Sequence, residues 1–526
     1  MRNFQRAGRS PVYADNGMVA TSHPLACVAA LDALKAGGNA VDAAVAASAV
    51  LTVVEPHMTG IGGDCFAIVA EPDGKLHGFN GSGRSAAGAE YEWYKEQGWH
   101  EIPMTSAHAV TVPGAIDAWE QLLSRLGRKG LDAALQPAIS YARNGFAVAP
   151  RVAFDLTELT DKLLKHPASA SRYLKDGSAY QVADRIYSPE LADTFEQVAK
   201  FGARSFYEGE IAEEITQTIQ ELGGFLSEAD MASHRGFFVD PVSTHYEGQD
   251  VFELPPNGQG ITALIILNIL SDQRRVADPI SAERLHKLIE ASKLGYGIRD
   301  TLIAEPDAMK LSVARLISPE YCRLLSERIS SNSVLENPVR DVPDADTVYL
   351  SVVDRDGMAC SFINSLFDGF GTGIMTAKTG IMLQSRARCF SLQEGHPNAI
   401  APSKLPLHTI IPAMTLKHGK PSISFGVMGG KYQATGHAQV LQNILDYGMD
   451  PQEALDFPRA FWNLEGELEL EEGWSQPVWE AMESKGHRIT SAKKPRGGGQ
   501  IIEIDHERGL LVGGSDPRKD GLAIGY

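Results

Sequence analysis

Cysteine is scarce. The 526 residues hold only Cys27, Cys65, Cys322, Cys360 and Cys389, scattered and without a CxxC pair. A sparse, odd set excludes a disulfide framework and fits reduced thiols in the cytoplasm, the expected location. Long apolar runs are missing too. LTVVEP and ALIILNIL fall far short of the ~20 residues that span a bilayer, so no membrane partner is expected. The stretch MRNFQRAGRSPVYADN has basic residues but no apolar centre, so it does not read as a secretory signal. Positive charge is in short supply: 48 Lys and Arg against 66 Asp and Glu leave a net charge of −18. That balance argues against nucleic acid or an anionic membrane as partner. A small anionic substrate stays open, because it needs only one local cation. The 15 histidines form no HExxH and no close pair with cysteine, so neither metal nor other cofactor is expected. There is no internal repeat, no low-complexity run and no long Pro/Gly/Ser linker.

Hydrophobic content of 43% supplies a large core. Length alone suggests about three or four domains, but the missing linkers favour one intertwined unit. The early chain predicts a strand and then an Ala-rich helix over roughly Pro24–Leu51, broken near Gly37-Gly38-Asn39. Asp42 reads as a helix N-terminal carboxylate. The glycines of GIGGDCFAIVAE (60–71) lack a P-loop lysine and read as tight packing before a strand, which continues through 76–88. Residues 150–235 and 281–335 look helical, with a strand region near Val239–Leu254 between them. Pro255-Pro256-Asn257-Gly258-Gln259-Gly260 opens a buried helix. Past residue 370, FGTGIMTAKTGIML reads as turn–strand–turn–strand. LHTIIPAMTLKHGKPSISFGVMGG reads as two antiparallel strands joined at His418-Gly419. A helix over 433–448 and a last hairpin follow. Strand pairs flanked by helical blocks predict stacked antiparallel sheets with helices outside.

The centre of this pattern is DVPDADTVYLSVVDRDGMACSFINSLFDGFGTG, from Asp341 to Gly373. An acidic loop with Pro343 leads into TVYLSVV, a β-branched and aromatic strand. Asp354-Arg355-Asp356-Gly357 turns it back into MACSFI. If Asp354 faces Gly357, Thr347 faces position 364, with Ser365 beside it to within one register. A threonine opening a buried strand after an acidic loop, with a second hydroxyl across the ladder, is a layout for self-cleavage between Asp346 and Thr347. The freed α-amine, with a reference pKa near ~8, would serve as base for its own hydroxyl. On these residues alone, an ordinary strand threonine is the commoner outcome.

TVYLSVVDRDG, followed by FGTGI, PLHTIIPAM, GVMGG, DYGM and SDPR, resembles the small subunit of the γ-glutamyltranspeptidase family of N-terminal nucleophile hydrolases. The resemblance begins at GMVATSHPLA (from Gly17), passes through GGNAVDAAVA and EPHMTGIGGD, and reaches Tyr526. It implies an α+β fold, the four-layer αββα sandwich. It also implies self-cleavage into residues 1–346 and 347–526, which stay together as large and small subunits. The oligomer is left open, a homodimer of the cleaved unit included.

The resemblance gives the residues expected roles. Thr347 would be the nucleophile and Ser365 its orienting hydroxyl. Gly429 and Gly430 would form the oxyanion hole. His408 and Thr409 fall where transpeptidases hold the substrate carboxylate with two serines. Thr409 keeps a hydroxyl, while His408 is open between meeting an anion and packing. Arg84 and Arg386 are the candidate carboxylate partners.

Two departures matter most. Cys389 stands where transpeptidases carry the aspartate that grips the glutamyl ammonium, and Phe367 stands where they carry an asparagine. The leading expectation is therefore an amidohydrolase for a small acid amide without an α-amino group, as in the oxamate amidohydrolase branch. A γ-glutamyl hydrolase or transpeptidase, or a cephalosporin-acylase-like enzyme, is the alternative. An uncleaved non-catalytic scaffold is the alternative of another class.

Overall fold

TVYLSVV lies in the strand Asp346–Val353, and its antiparallel partner is Ala359–Phe367. The computed structural model describes residues 8–335, 346–463 and 465–526. The acidic loop at 341–345 lies outside the described residues. The predicted register is off by one. Val348 pairs with Asn364 and Val353 with Ala359, one residue from the expected pairing and inside the margin of one register. Beyond Val348 a bulge on the partner strand sets Ser365 and Leu366 opposite Thr347 before Asp346 pairs with Phe367. The shift starts at the turn, where Asp354 N donates to Met358 O at 3.0 Å, and the bulge adds a further residue at the far end.

This hairpin sits third and fourth in a seven-stranded antiparallel sheet. Strands Leu522–Gly525 and Met18–Thr21 flank it on one side. Asp64–Ala70, Leu76–Gly81 and Phe237–Val239 follow on the other. A second seven-stranded sheet runs in the order Val12–Ala14, Leu510–Ser515, Gly498–Asp505, Lys420–Met428, Ala413–Lys417, Gln249–Glu253, Val242–Tyr246. Strands from before and after residue 346 therefore mix in both sheets.

The sheets stack face to face. Ser351 Oγ donates to Ser424 Oγ at 2.6 Å, and the ring of Tyr349 covers Gly426, where a Cβ would lie 2.4 Å from it. Helices close both outer faces. Ala40–Val54 packs on the hairpin sheet, and Gly260–Ser271, Ala282–Leu302 and Tyr432–Leu441 back the other. The result is the helix–sheet–sheet–helix order expected of the αββα fold.

Ala40–Val54 is buried along its whole length, as its Ala and Val content allows. The predicted early helix is two helices, Pro24–Lys35 and Ala40–Val54. Asn39 caps the second, and Asp42 closes a capping box with it. The stretch 374–383 carries isolated bridges, Met375 with Met382 and Leu383 with Gly62, not the two expected strands. No described helix is long and apolar enough to cross a membrane.

Candidate active site

Four side chains meet beside the bulge, one from each hairpin strand and two from later segments. Thr347 Oγ1 lies 3.0 Å from Ser365 Oγ, and both residues are fully buried. Ser365 Oγ accepts the Phe367 backbone N–H at 2.9 Å and the Arg386 Nη2 at 3.3 Å. Arg386 Nη1 donates to Thr409 Oγ1 at 2.8 Å. A chain of hydroxyl, hydroxyl, guanidinium and hydroxyl thus runs from Thr347 to Thr409.

Arg386 is the unusual member. Its side chain has no solvent exposure, its Nε has no hydrogen-bond partner, and it forms no ion pair among the described residues. The guanidinium sits 4.5 Å over the ring of Phe367. Phe367 has φ = 79°, a left-handed conformation that costs a non-glycine residue about 1–3 kcal/mol. That conformation ends the strand and places the ring under the guanidinium while the amide meets Ser365. Cys389 Sγ is 4.0 Å from Arg386 Nη1, and burial pushes its thiol up.

Arg84 lies elsewhere. It is exposed, pairs with Glu305 at 2.6 Å and donates to Ser403 O at 2.9 Å. The structure thus separates the two arginines that the sequence left open. His408 turns away from Arg386. Its Nε2 meets Asp64 Oδ2 at 3.0 Å and its ring lies 4.5 Å from that of Phe66. Burial, with Arg386 nearby, lowers its pKa to about 4 despite Asp64. The imidazole is therefore neutral near pH 7. In that state Nε2–H donates to Asp64, and Nδ1 accepts from Ile410 N at 3.4 Å. Packing is the reading the geometry favours for it.

Gly429 and Gly430 follow the strand Lys420–Met428, with φ of 120° and 53°. Only glycine adopts such values readily, and a Cβ on Gly429 would lie 2.8 Å from Gly497 Cα. Gly429 also lines a cleft of about 200 Å³ with Asp368, Lys494 and Lys519.

Several supporting residues gave no clear signal in the sequence. Asp64 is fully buried, and its Oδ1 takes Gly83 N, Gly114 N and Gln384 Nε2 at 3.0–3.1 Å, so it fixes three loops around His408. Gln259 donates to Thr409 O and Gly430 O. Arg388 forms two 2.8 Å bonds to Asp368, two residues along from Arg386. An acid between glycines and a strand, and a glutamine after Pro-Asn-Gly, were the only available hints.

Among the described residues, His286, Glu290 and His487 bring potential metal-binding atoms within 4.8 Å of one another. Lys293 already pairs with Glu290 at 2.7 Å, and the imidazoles hydrogen-bond to each other at 2.8 Å. This polar network is complete without an ion.

The chain is similar to proteins of known kind along nearly its whole length. It is 38% identical over 521 residues to the glutathione hydrolase-like YwrD proenzyme of Bacillus subtilis, covering 97% of this chain and 98% of that one. It is 32% identical over 526 residues to the oxamate amidohydrolase proenzyme of Klebsiella pneumoniae, with coverage of 97% and 98%. The crystal structure of a cephalosporin acylase from Bacillus halodurans superposes with a TM-score of 0.94 at 40% identity, covering 100% of this chain and 98% of that one. The family model described as gamma-glutamyltranspeptidase matches residues 26–526. The chain therefore belongs to the gamma-glutamyltranspeptidase family, and it is an amide-bond hydrolase of the N-terminal nucleophile type.

Proposed function

We propose that the chain is the precursor of an N-terminal threonine amidohydrolase that cleaves short acid amides, with oxamate as the type substrate. The single observation that carries this reading is Arg386: a buried guanidinium without a carboxylate partner among the described residues, one hydroxyl away from Thr347. A buried cation is costly unless it is paired. The substrate carboxylate is the counter-ion this site calls for, and the bidentate geometry of a guanidinium suits it.

The precursor step begins when the Thr347 hydroxyl attacks the Asp346 carbonyl. The peptide C–N bond breaks, the acyl group moves to oxygen, and water hydrolyses the ester to free the Thr347 α-amine. In turnover that amine takes the hydroxyl proton as the oxygen attacks the substrate amide, then passes it to the leaving nitrogen. Gly429 and Gly430 present their amides to the developing oxyanion, which their left-handed backbone supports. Ser365 orients the nucleophile. Thr409 holds Arg386 against the substrate carboxylate, and Phe367 carries the guanidinium on its face. Water then releases the acid from the acyl-enzyme. Oxamate would give oxalate and ammonia. The large and small subunits stay joined through the mixed sheets, and the expected location is the cytoplasm.

A second reading is supported by the similarity to a cephalosporin acylase, which favours a larger acyl group on the same nucleophile. The test is kcat/KM measured side by side for oxamate, glutathione, glutamine and an acyl-cephalosporin. A clear preference for oxamate or a similarly short acid amide supports the first reading. Faster turnover of a γ-glutamyl compound means that another residue binds its ammonium. Faster turnover of the cephalosporin favours the second reading.

A further inference from the structure

Gln259 stands at the start of the helix Gly260–Ser271 and is fully buried. Its side-chain amide is shared by three partners. Oε1 accepts from Arg299 Nη1 at 2.9 Å. Nε2 donates to Thr409 O at 2.6 Å and to Gly430 O at 3.2 Å. Its backbone N–H donates to His408 O at 2.8 Å, anchoring the same segment a second time.

The orientation of this amide is not free. A guanidinium has only donors, so the oxygen end must face Arg299 and the NH2 end must face the two carbonyls. Arg299 is fixed in turn by Asp300, whose Oδ1 accepts from Nε at 2.7 Å, and by the face of Tyr296 at 4.5 Å. One planar amide therefore clamps two segments that are remote in sequence.

Those segments hold the two ends of the substrate in the reading above, on which this inference rests. Thr409 positions Arg386 at the carboxylate end. Gly430 belongs to the glycine pair at the carbonyl end. We infer that Gln259, oriented by Arg299, is a positioning residue that fixes the separation of these two ends and so restricts the site to amides of short dicarboxylic acids. An acid whose carboxylate lies one bond from the amide carbon needs the two ends close and invariant. A longer acid gains from a looser spacing. The clamp must also be neutral on its inner side. A glutamate of nearly the same volume would turn a carboxylate oxygen toward two carbonyl oxygens.

The test is a chain-length series: oxamate, malonamate, succinamate and glutaramate with wild type, Gln259→Glu, Gln259→Ala and Arg299→Lys. Cleavage state and Tm are checked for each. Wild type is expected to favour oxamate. Each variant is expected to lose about 10²-fold in kcat on oxamate, the cost typical of a small misplacement of a reacting group, and much less on glutaramate. The selectivity series then flattens. Arg299→Lys keeps the charge but not the fork that orients the glutamine, and it covers the case in which the Gln259 variants do not fold. An equal loss on all four amides, or an unchanged series, overturns the inference. A wild type with no chain-length preference overturns the substrate reading instead.

Discussion

Thr347 Oγ1 and Ser365 Oγ lie 3.0 Å apart on facing strands, at the point where a bulge interrupts the ladder. A regular ladder would simply alternate the side chains along each strand. The extra residue lies on the Ser365 strand, where Ser365 and Leu366 together face Thr347.

Cleavage is expected between Asp346 and Thr347. N-terminal sequencing of the smaller fragment should begin at Thr347, and any other start removes Thr347 as nucleophile. Thr347→Ala should remain one 56.8 kDa chain and be inactive. Thr347→Ser, which keeps a hydroxyl, should still process.

Ser365→Ala should fold and slow both processing and turnover by about 10–100-fold, equivalent to roughly 1.4–2.7 kcal/mol of transition-state stabilisation. Gel-based processing rates and kcat measure this. Wild-type rates in the variant would show that the second hydroxyl does not orient the first.

Arg386→Met should abolish selectivity for acid amides, lowering kcat/KM on oxamate by about 10²-fold or more. It should not lower Tm and is expected to raise it, because a buried cation is exchanged for an apolar side chain. Arg386→Lys should not restore activity, since an ammonium lacks the fork. A Tm several degrees below wild type for the methionine variant would mean that the fold, not a ligand, holds this charge.

Acid should destabilise the protein through its buried histidines. Burial lowers His23 to about 4, with His57 adding to the effect, and burial with Arg386 lowers His408 to about 4. Unfolded, both titrate near 6.5. Below that pH the unfolded chain binds protons that the native chain does not. Stability is therefore full above pH 6.5 and falls as the pH drops toward about 4, by up to about 3 kcal/mol per histidine. Tm followed from pH ~8 to ~4 measures the decline, and His408→Gln should make it shallower. Equal slopes for variant and wild type would remove His408 from the account.

The hairpin, its turn and the order of the layers were legible in the sequence because strand alternation and turn chemistry are local. TVYLSVV and MACSFI pair as read, one residue from the expected register along the ladder. The helix break at Gly37–Asn39 was visible in its glycines, but two separate helices needed the Asn39 cap to be seen. The strands expected over 374–383 did not form, because that segment packs as turns with two isolated bridges.

By itself the sequence determined the family, the two-sheet architecture and a threonine at the start of a buried strand, since each follows from periodicity or from ordered motifs along the chain. Tertiary structure alone decided which polar groups meet. Arg84 and Arg386 are both arginines beside glycine or serine, yet one pairs with Glu305 at the surface and the other lies buried against Ser365 and Thr409. His408 joins Asp64 across 344 residues, and Gln259 joins Gly430 across 171. Such contacts depend on how sheets and helices stack, and no spacing within one segment encodes that.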